Sequence, residues 1–377
     1  MNDESAADFR IFAHCNEKVK LIGRISDPIN SFGDLFLIPS VTFAASKYVI
    51  ELPTSSDERL GSISFLPVSQ TGTIDITAIG YAGRSQYETL RLSYDTTVGS
   101  PQYYTSSWFR VFANSSVSIT SSSPIMILVT APFVTISSIP SEYCGESCHQ
   151  DYVAFMPIGA PFRKCGSKTK NAEERMSTHH FASRMYISPP NELDSCNDNP
   201  QITIYDDIDD AAGRAISVSK IGETAISLIN KNQTGFLTYG GQMSSYRLGS
   251  IVQPDGITAF GHFAHYLPSR AEWISGPTQF YTFAKNCYLE IYISAPVIDL
   301  KRVKIDGTPL QNIKHTETPI FMFVVNIMQY VVPIKGYGMH LLENEVGTSV
   351  SYVVCKNVNG AFNSAGYLTG FNKIASN

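Results

Sequence analysis

The side chains best equipped for chemistry are two histidine pairs, a cysteine cluster and one acidic run. His262 and His265 stand in the stretch HFAH. On a strand, positions i and i+3 point to opposite faces, so the two imidazoles cannot hold one metal together, and ordinary hydrogen-bonded or surface histidines are the plainer reading. His179 and His180 lie in a polar loop and read the same way. Cys144, Cys148, His149 and Cys165 offer zinc-binding donor types, but the spacing CxxxC-H fits no usual structural zinc pattern. Between Met185 and Gly213 there are seven acidic residues (Glu192, Asp194, Asp198, Asp206, Asp207, Asp209, Asp210) and no Lys or Arg. Clustered carboxylates suit calcium, yet DDIDD lacks the glycine and terminal glutamate of an EF-hand loop, so a solvated acidic loop is expected. Tyr103, Tyr104 and Trp108 have rings that could stack on sugars, although such residues more often fill a β core. No GxSxG, Walker A, HExxH or GxGxxG motif occurs, and Gly336–Gly338 (GYG) lacks the helix a dinucleotide loop needs. No catalytic, cofactor-binding or metal-binding residue is therefore assigned.

The elements that would carry these residues are strands. The chain has 377 residues, 43% hydrophobic and only 16% charged, against roughly 25% charged in average usage. Lys and Glu, the usual surface of helices, are scarce, while Tyr, Phe, Thr, Ser, Val and Ile favour strands. Thr73–Ile79 sets Ile74, Ile76 and Ala78 against Thr73, Asp75 and Thr77, the period of a half-buried strand. The longest apolar run, Ile320–Ile334, is too short to span a bilayer as a helix and is interrupted by Asn326, Gln329 and Pro333; two consecutive strands explain it. The net charge of −5 gives no basic excess of the kind nucleic-acid binders carry.

Three stretches look like copies of one hairpin: Val117–Ala131, Gly249–Phe263 and Met339–Cys355, with turns at SSSP, QPDG and ENEVG. Each is preceded by an opening strand (LFLIPS, RMYISP, QFYTFA) and by a strand–break–strand middle, in the same order. A unit of about 90–100 residues with seven or eight strands has the size of a β-sandwich. The expectation is an all-β chain of three tandem β-sandwich units, with a β-propeller as the alternative. The boundaries are a lead-in over 1–32, units over 33–134, 179–268 and 269–377, and a Cys- and Pro-rich connecting segment over 135–178. Met1–Lys18 is expected to be poorly ordered.

Seven cysteines occur without a CxxC pair, and sequons stand at Asn114 and Asn232. With the Ser/Thr-rich composition these point to the secretory pathway. The expected disulfides are Cys144–Cys148, Cys165–Cys196 and Cys287–Cys355, leaving Cys15 over, although sequence alone does not fix connectivity. Met1–Arg10 has neither a basic nor an apolar leader region, so the expectation is a chain whose leader is absent from this stretch.

Three stretches also carry a resemblance. SSSPIMILVTA leads to the pair Cys144 and Cys148 and then FMPIGAPF; Tyr281–Leu310 reads YTFAKNCYLEIYISAPVIDLKRVKIDGTPL; Gly338–Gly370 closes on a glycine- and tyrosine-bearing tail. Together they resemble the IgGFc-binding protein N-terminal domain, a family found in large secreted mucus and extracellular proteins, with Asp306–Gly307 where that family has its Asp-Gly. The likeness runs from about Gly33 to Gly370. It departs at Met156–Pro157, where the family has Pro-Pro, and at the basic stretch Arg163–Arg175. No immunoglobulin-contacting motif carries over. The resemblance implies a secreted, non-enzymatic protein of adhesion or matrix, binding extracellular proteins or glycans through loops at the sandwich ends. Two other readings stand beside it: a carbohydrate-active enzyme, which needs two carboxylates across a cleft, and a purely structural spacer.

Overall fold

The computed structural model describes residues 4–373 apart from 7, 9, 28, 30–31, 54–58, 101, 112–114, 136–150, 160–161, 193–194, 197–198, 207–211, 223, 253–258, 324 and 361–362. The described chain is almost entirely antiparallel β, as its composition predicts. It begins with β1 (Glu4–Ala6), the hairpin β2 (Leu21–Asp27) and β3 (Phe32–Ile38), then β4 (Ala45–Glu51), β5 (Arg59–Pro67), β6 (Thr73–Ala82), β7 (Ser85–Asp95), β8 (Gln102–Val111), β9 (Ser115–Val134) and β10 (Asp151–Phe155). Next come β11 (Glu173–Thr178), β12 (Ala182–Ile187), β13 (Gln201–Tyr205), β14 (Arg214–Ser217), β15 (Ala225–Ser227), β16 (Gln233–Thr238), β17 (Ser245–Val252) and β18 (Ala259–Tyr266). The last group is β19 (Ile274–Ser275), β20 (Thr278–Thr282), β21 (Cys287–Ser294), β22 (Val303–Ile305), β23 (Thr308–Pro309), β24 (Thr316–Ile320), β25 (Ile327–Ile334), β26 (Gly338–Asn344), β27 (Thr348–Lys356) and β28 (Ser364–Leu368).

These strands make three sandwiches. The first is one sheet folded over on itself at β9. The first half of β9 lies between β4 and β6, its second half between β5 and β10. Ile50 and Ile76 from one side meet Phe65 and Phe155 from the other in a shared core. The second sandwich stacks β11-β16-β13-β14 on β15-β12-β17-β18, and the third stacks β19-β27-β21-β25-β24, with β28 beside β27, on β20-β26-β22-β23.

Two of the three expected hairpins are something else. At SSSP the chain does not reverse: β9 runs straight through, and a four-residue bulge bends it, since Ala45 pairs with Ile125 while Lys47 pairs with Thr120. Pro124, which has no N–H to give a ladder, sits in that bulge, and the Ser122 hydroxyl accepts from the Asp75 N–H. At ENEVG the chain crosses from one sheet of the third sandwich to the other, because β26 pairs with β20 and β22 whereas β27 pairs with β19, β21 and β28. The Asn344 side chain closes this arch, accepting from Val346 N–H and donating to Gly347 O. A Cβ on Gly347 would stand 2.2 Å from Ser294 O, so only glycine passes there. The middle stretch is the hairpin expected, β17 with β18, although QPDG itself lies outside the described residues. The apolar run Ile320–Ile334 holds one strand rather than the two expected: β24 ends at Ile320, so its strand is the preceding TETPI, and the run supplies the connection and β25, which pairs back on β24. Asp306 and Gly307 form the two-residue turn of the β22–β23 hairpin with φ of 51° and 76°, the left-handed pair such a turn requires.

The segments expected to be lead-in and connector are also structural. β1 pairs with β8, and the Asp8–Arg10 ion pair docks onto the carbonyls of Ser69 and Thr96. β10 belongs to the first sandwich and β11 to the second.

The sandwiches share faces rather than standing apart. Met185 and Ile187 of β12 point into the second core, while Tyr186 between them points into the first. On β21, Leu289, Ile291 and Ile293 fill the third core and Tyr292 packs into the second. Strands buried on both faces lose the apolar–polar alternation that β6 keeps. Ile127 and Val353 are fully buried in the first and third cores. Ile127→Asp or Val353→Asp places an unpaired carboxylate there, and each is expected to cost about 4 kcal/mol or more. A thermal melt checks this, with a Tm drop of about 10 °C or more expected.

Candidate functional site

The chemistry-bearing side chains cluster at the seams between sandwiches. β3, β10, β18 and β28 pack side by side where the three bodies meet. Asp34, on β3, accepts from Leu35 N–H (2.7 Å), Ala154 N–H of β10 (2.9 Å) and Gly366 N–H of β28 (3.4 Å). Asp151, at the start of β10, accepts from Tyr152 N–H (2.8 Å), His262 N–H of β18 (3.1 Å), Ser364 N–H of β28 (3.0 Å) and the Asn363 amide. Each carboxylate thus replaces a β ladder across strands that do not pair with one another. Burial pushes both carboxyls well above the ordinary range, against these N–H groups, which favour the charged form.

Between the second and third sandwiches, Arg247 of β17 meets Glu290 of β21 at 2.5 Å, both fully buried. Arg247 lies 3.9 Å from the centre of the Tyr352 ring, and Glu290 also accepts from Tyr292 (2.8 Å) and Gln329 (2.6 Å). Burial alone would raise the Glu290 carboxyl; the Arg247 charge and hydrogen bond outweigh it and hold Glu290 below the ordinary range. A second knot joins Arg175 to Glu173 at 2.5 Å, to Glu272 at 3.3 Å and to the Tyr266 hydroxyl at 3.2 Å. Burial pushes the Glu173 carboxyl up to about 7 although Arg175 opposes the rise. These carboxylates are enclosed around an arginine rather than set across a cleft. A crevice lined by Lys47, Tyr48, Pro157, Pro190 and Tyr246 holds about 20 Å³, room for about one water.

His262 and His265 are both on β18 and both buried, but they are not brought together. His262 Nδ1 lies 2.8 Å from the Ser250 hydroxyl, and His265 is stacked between Phe263 and Tyr352. The His179 imidazole bonds the Leu228 carbonyl, and His180 lies against Phe181. Cys165–Cys196 and Cys287–Cys355 are disulfides, two of the three pairs expected, and Cys15 is free and exposed. Cys287 and Cys355 are cross-strand partners on β21 and β27. Cys165 is thereby removed from any zinc set; Cys144, Cys148 and His149 lie outside the described residues, as do Asn114, Asp194, Asp198, Asp207, Asp209 and Asp210. Of the acidic run, Glu192 pairs with Arg163 at 3.0 Å, and Asp206 with Lys231 at 3.0 Å and with Arg214 at 3.7 Å. Among the described residues, no group of three His, Cys, Asp or Glu is placed to hold a metal. Tyr103, Tyr104 and Trp108 lie in β8, with side chains outside the described set. Asn232 is exposed just before β16, while Thr234 of its sequon is buried and donates to Tyr205 O and Asp206.

The reading of motifs missed Asp34, Asp151, Arg247, Glu290 and Arg175. For Asp34 and Glu290 the one signal is a lone charge inside an apolar strand, as in GDLFLI and CYLEIYIS; Arg175, in the charged stretch EERMST, has no such signal. Comparison with known protein families, with curated proteins and with solved structures returned no match for this chain.

Two predictions test the seams. In Asp151→Asn, an NH₂ group replaces one acceptor oxygen and faces N–H donors, which is expected to cost about 3 kcal/mol in urea denaturation. For His262, burial pushes the imidazole down to about 4. The folded chain therefore keeps it neutral while the unfolded chain takes up a proton near pH 6.5. Stability is lost as pH falls from 6.5 to 4, by about 3 kcal/mol from this group. His262→Gln removes that linkage, so the stability lead of the parent over the variant should shrink by that amount between pH 7.5 and 4. A lead that stays constant would show that His262 titrates normally.

Proposed function

We propose that this chain is an extracellular, non-enzymatic binding protein of adhesion or matrix, related to the IgGFc-binding N-terminal domain, whose loops take protein or glycan ligands. The observation that carries the reading is the construction itself. Three sandwiches share doubly buried sheets, are tied by buried charges and are cross-linked by two disulfides. Such a body is a stiff frame on which exposed loops keep fixed relative positions, the arrangement that multi-point recognition needs. Disulfides persist in oxidising compartments, which supports a place outside the cell. The resemblance of Tyr281–Leu310 and Gly338–Gly370 to the secreted family supports it independently, and Asp306–Gly307 makes the tight turn that an Asp-Gly motif there calls for.

The test is peptide mapping, with and without reduction, of protein exported from eukaryotic cells behind an added leader. The expected result is Cys165–Cys196 and Cys287–Cys355 linked, with glycan on the exposed Asn232. Free thiols throughout and a bare Asn232, in protein that stays inside the cell, would refute the extracellular reading.

A further inference from the structure

The basic stretch that departs from the family pattern forms a braced surface loop. Lys164, Lys168 and Lys170 are exposed within seven residues, and among the described residues no carboxylate pairs with any of them. This is a concentration of positive charge on a chain whose net charge is −5. The loop is held from four directions. Cys165 is bonded to Cys196. Arg163 turns inward, giving its guanidinium to Glu192 at 3.0 Å, to Ser167 O at 3.0 Å and to Gly240 O. Ser167 folds back on Lys164 O through its N–H (3.1 Å) and hydroxyl (2.7 Å). Thr169 N–H bonds Tyr239 O at 2.9 Å. Two rings flank this loop: Phe162, 58% exposed, precedes it, and Tyr239, 49% exposed, follows β16 beside it.

The backbone of Tyr239 is held to Thr169 and Phe162 directly precedes Arg163, so two exposed rings border the segment that carries the three lysines. Its chemistry matches a ligand with both anionic groups and flat apolar C–H faces. We propose that the loop Phe162–Lys170 with Tyr239 is a binding site for acidic oligosaccharides, sulfated or carboxylated, the lysines meeting the anions and the two rings stacking on sugar faces. This rests on the binding-protein reading above and names a ligand class and a site for it. Arg163 and the disulfide supply the preorganisation: the loop has little ordering left to do when a ligand arrives. The overall negative charge favours a short acidic saccharide over a long polyanion such as nucleic acid, which would meet repulsion beyond the loop.

The experiment uses the full, oxidised chain and a heparin-type sulfated octasaccharide, with its desulfated, carboxyl-reduced form as control, measured by calorimetry at low and physiological salt. Binding of the sulfated form alone is expected, weakening as salt rises. The triple variant Lys164→Ala, Lys168→Ala, Lys170→Ala should lose about tenfold or more in affinity with an unchanged Tm, whereas the triple Lys→Arg variant keeps it. Phe162→Ala with Tyr239→Ser should weaken binding while leaving its salt dependence in place. No binding at low salt, equal binding by the triple alanine variant, or equally tight binding of a single-stranded oligonucleotide of the same charge through the same lysines overturns the proposal. A null result on exported protein with both disulfides formed removes this loop while leaving the extracellular reading intact.

Discussion

Asp34 and Asp151 do the work of a sheet where no sheet is possible. β3, β10, β18 and β28 arrive at the junction from the N-terminal hairpin and from all three sandwiches, and their edges do not form a common ladder. Their N–H groups would be stranded in an apolar seam at a cost of about 1–3 kcal/mol each. Two carboxylates collect the donors instead, three on Asp34 and four on Asp151. These acceptors favour one register of the strands against one another, since a shift of one residue would leave both buried carboxyl groups without these donors.

The remaining seam is set by a different balance. Arg247 and Glu290 come from separate sandwiches and are both fully buried, so removing either alone leaves an uncompensated charge, at about 3–5 kcal/mol. Such a pair is weak as a source of net stability but strong as a specifier: Arg247 has its carboxylate, its Tyr352 ring and the Ser177 hydroxyl in one docking position only. Dispersion and apolar burial through Tyr292 and Tyr352, which pack into the second core from strands of the third sandwich, supply the attraction, and the charges select among ways of satisfying it.

Much of the fold was legible from periodicity. The alternation of β6 and the β17–β18 hairpin are local properties, and local residues reported them, whereas the run Ile320–Ile334 is apolar throughout and hides that its first part is a connection and only its second part, β25, a strand. Whether two successive strands pair or cross to the opposite sheet is not local. SSSP and ENEVG carry ordinary turn residues, yet one bends a strand and the other arches between sheets, because the partners that decide are β4 to β6 in the first case and β20 to β22 in the second. Of the two disulfides, Cys287–Cys355 was legible as a bridge between the opening and the closing strands of one unit, while Cys165–Cys196 had no such local reason. The contacts between sandwiches were not legible, since the partners that matter there are distant in the chain, as Arg247 and Glu290 are at a separation of 43. The braced lysine loop showed in sequence only as a basic departure from a family pattern; its bracing by Arg163 and Glu192 is tertiary.

The bridge from Cys287 to Cys355 has a mechanical meaning. It spans a sequence separation of 68 and ties adjacent strands in the sheet that the third sandwich shares with the second. A chain pulled from its two ends cannot pay out the residues between those cysteines, and about 230 Å of contour length is withheld from extension. The third sandwich would lose its neighbours before its own loop between these cysteines could lengthen, so under shear the molecule would yield first in the segments outside that loop and keep a short, tethered remnant at its C-terminal end.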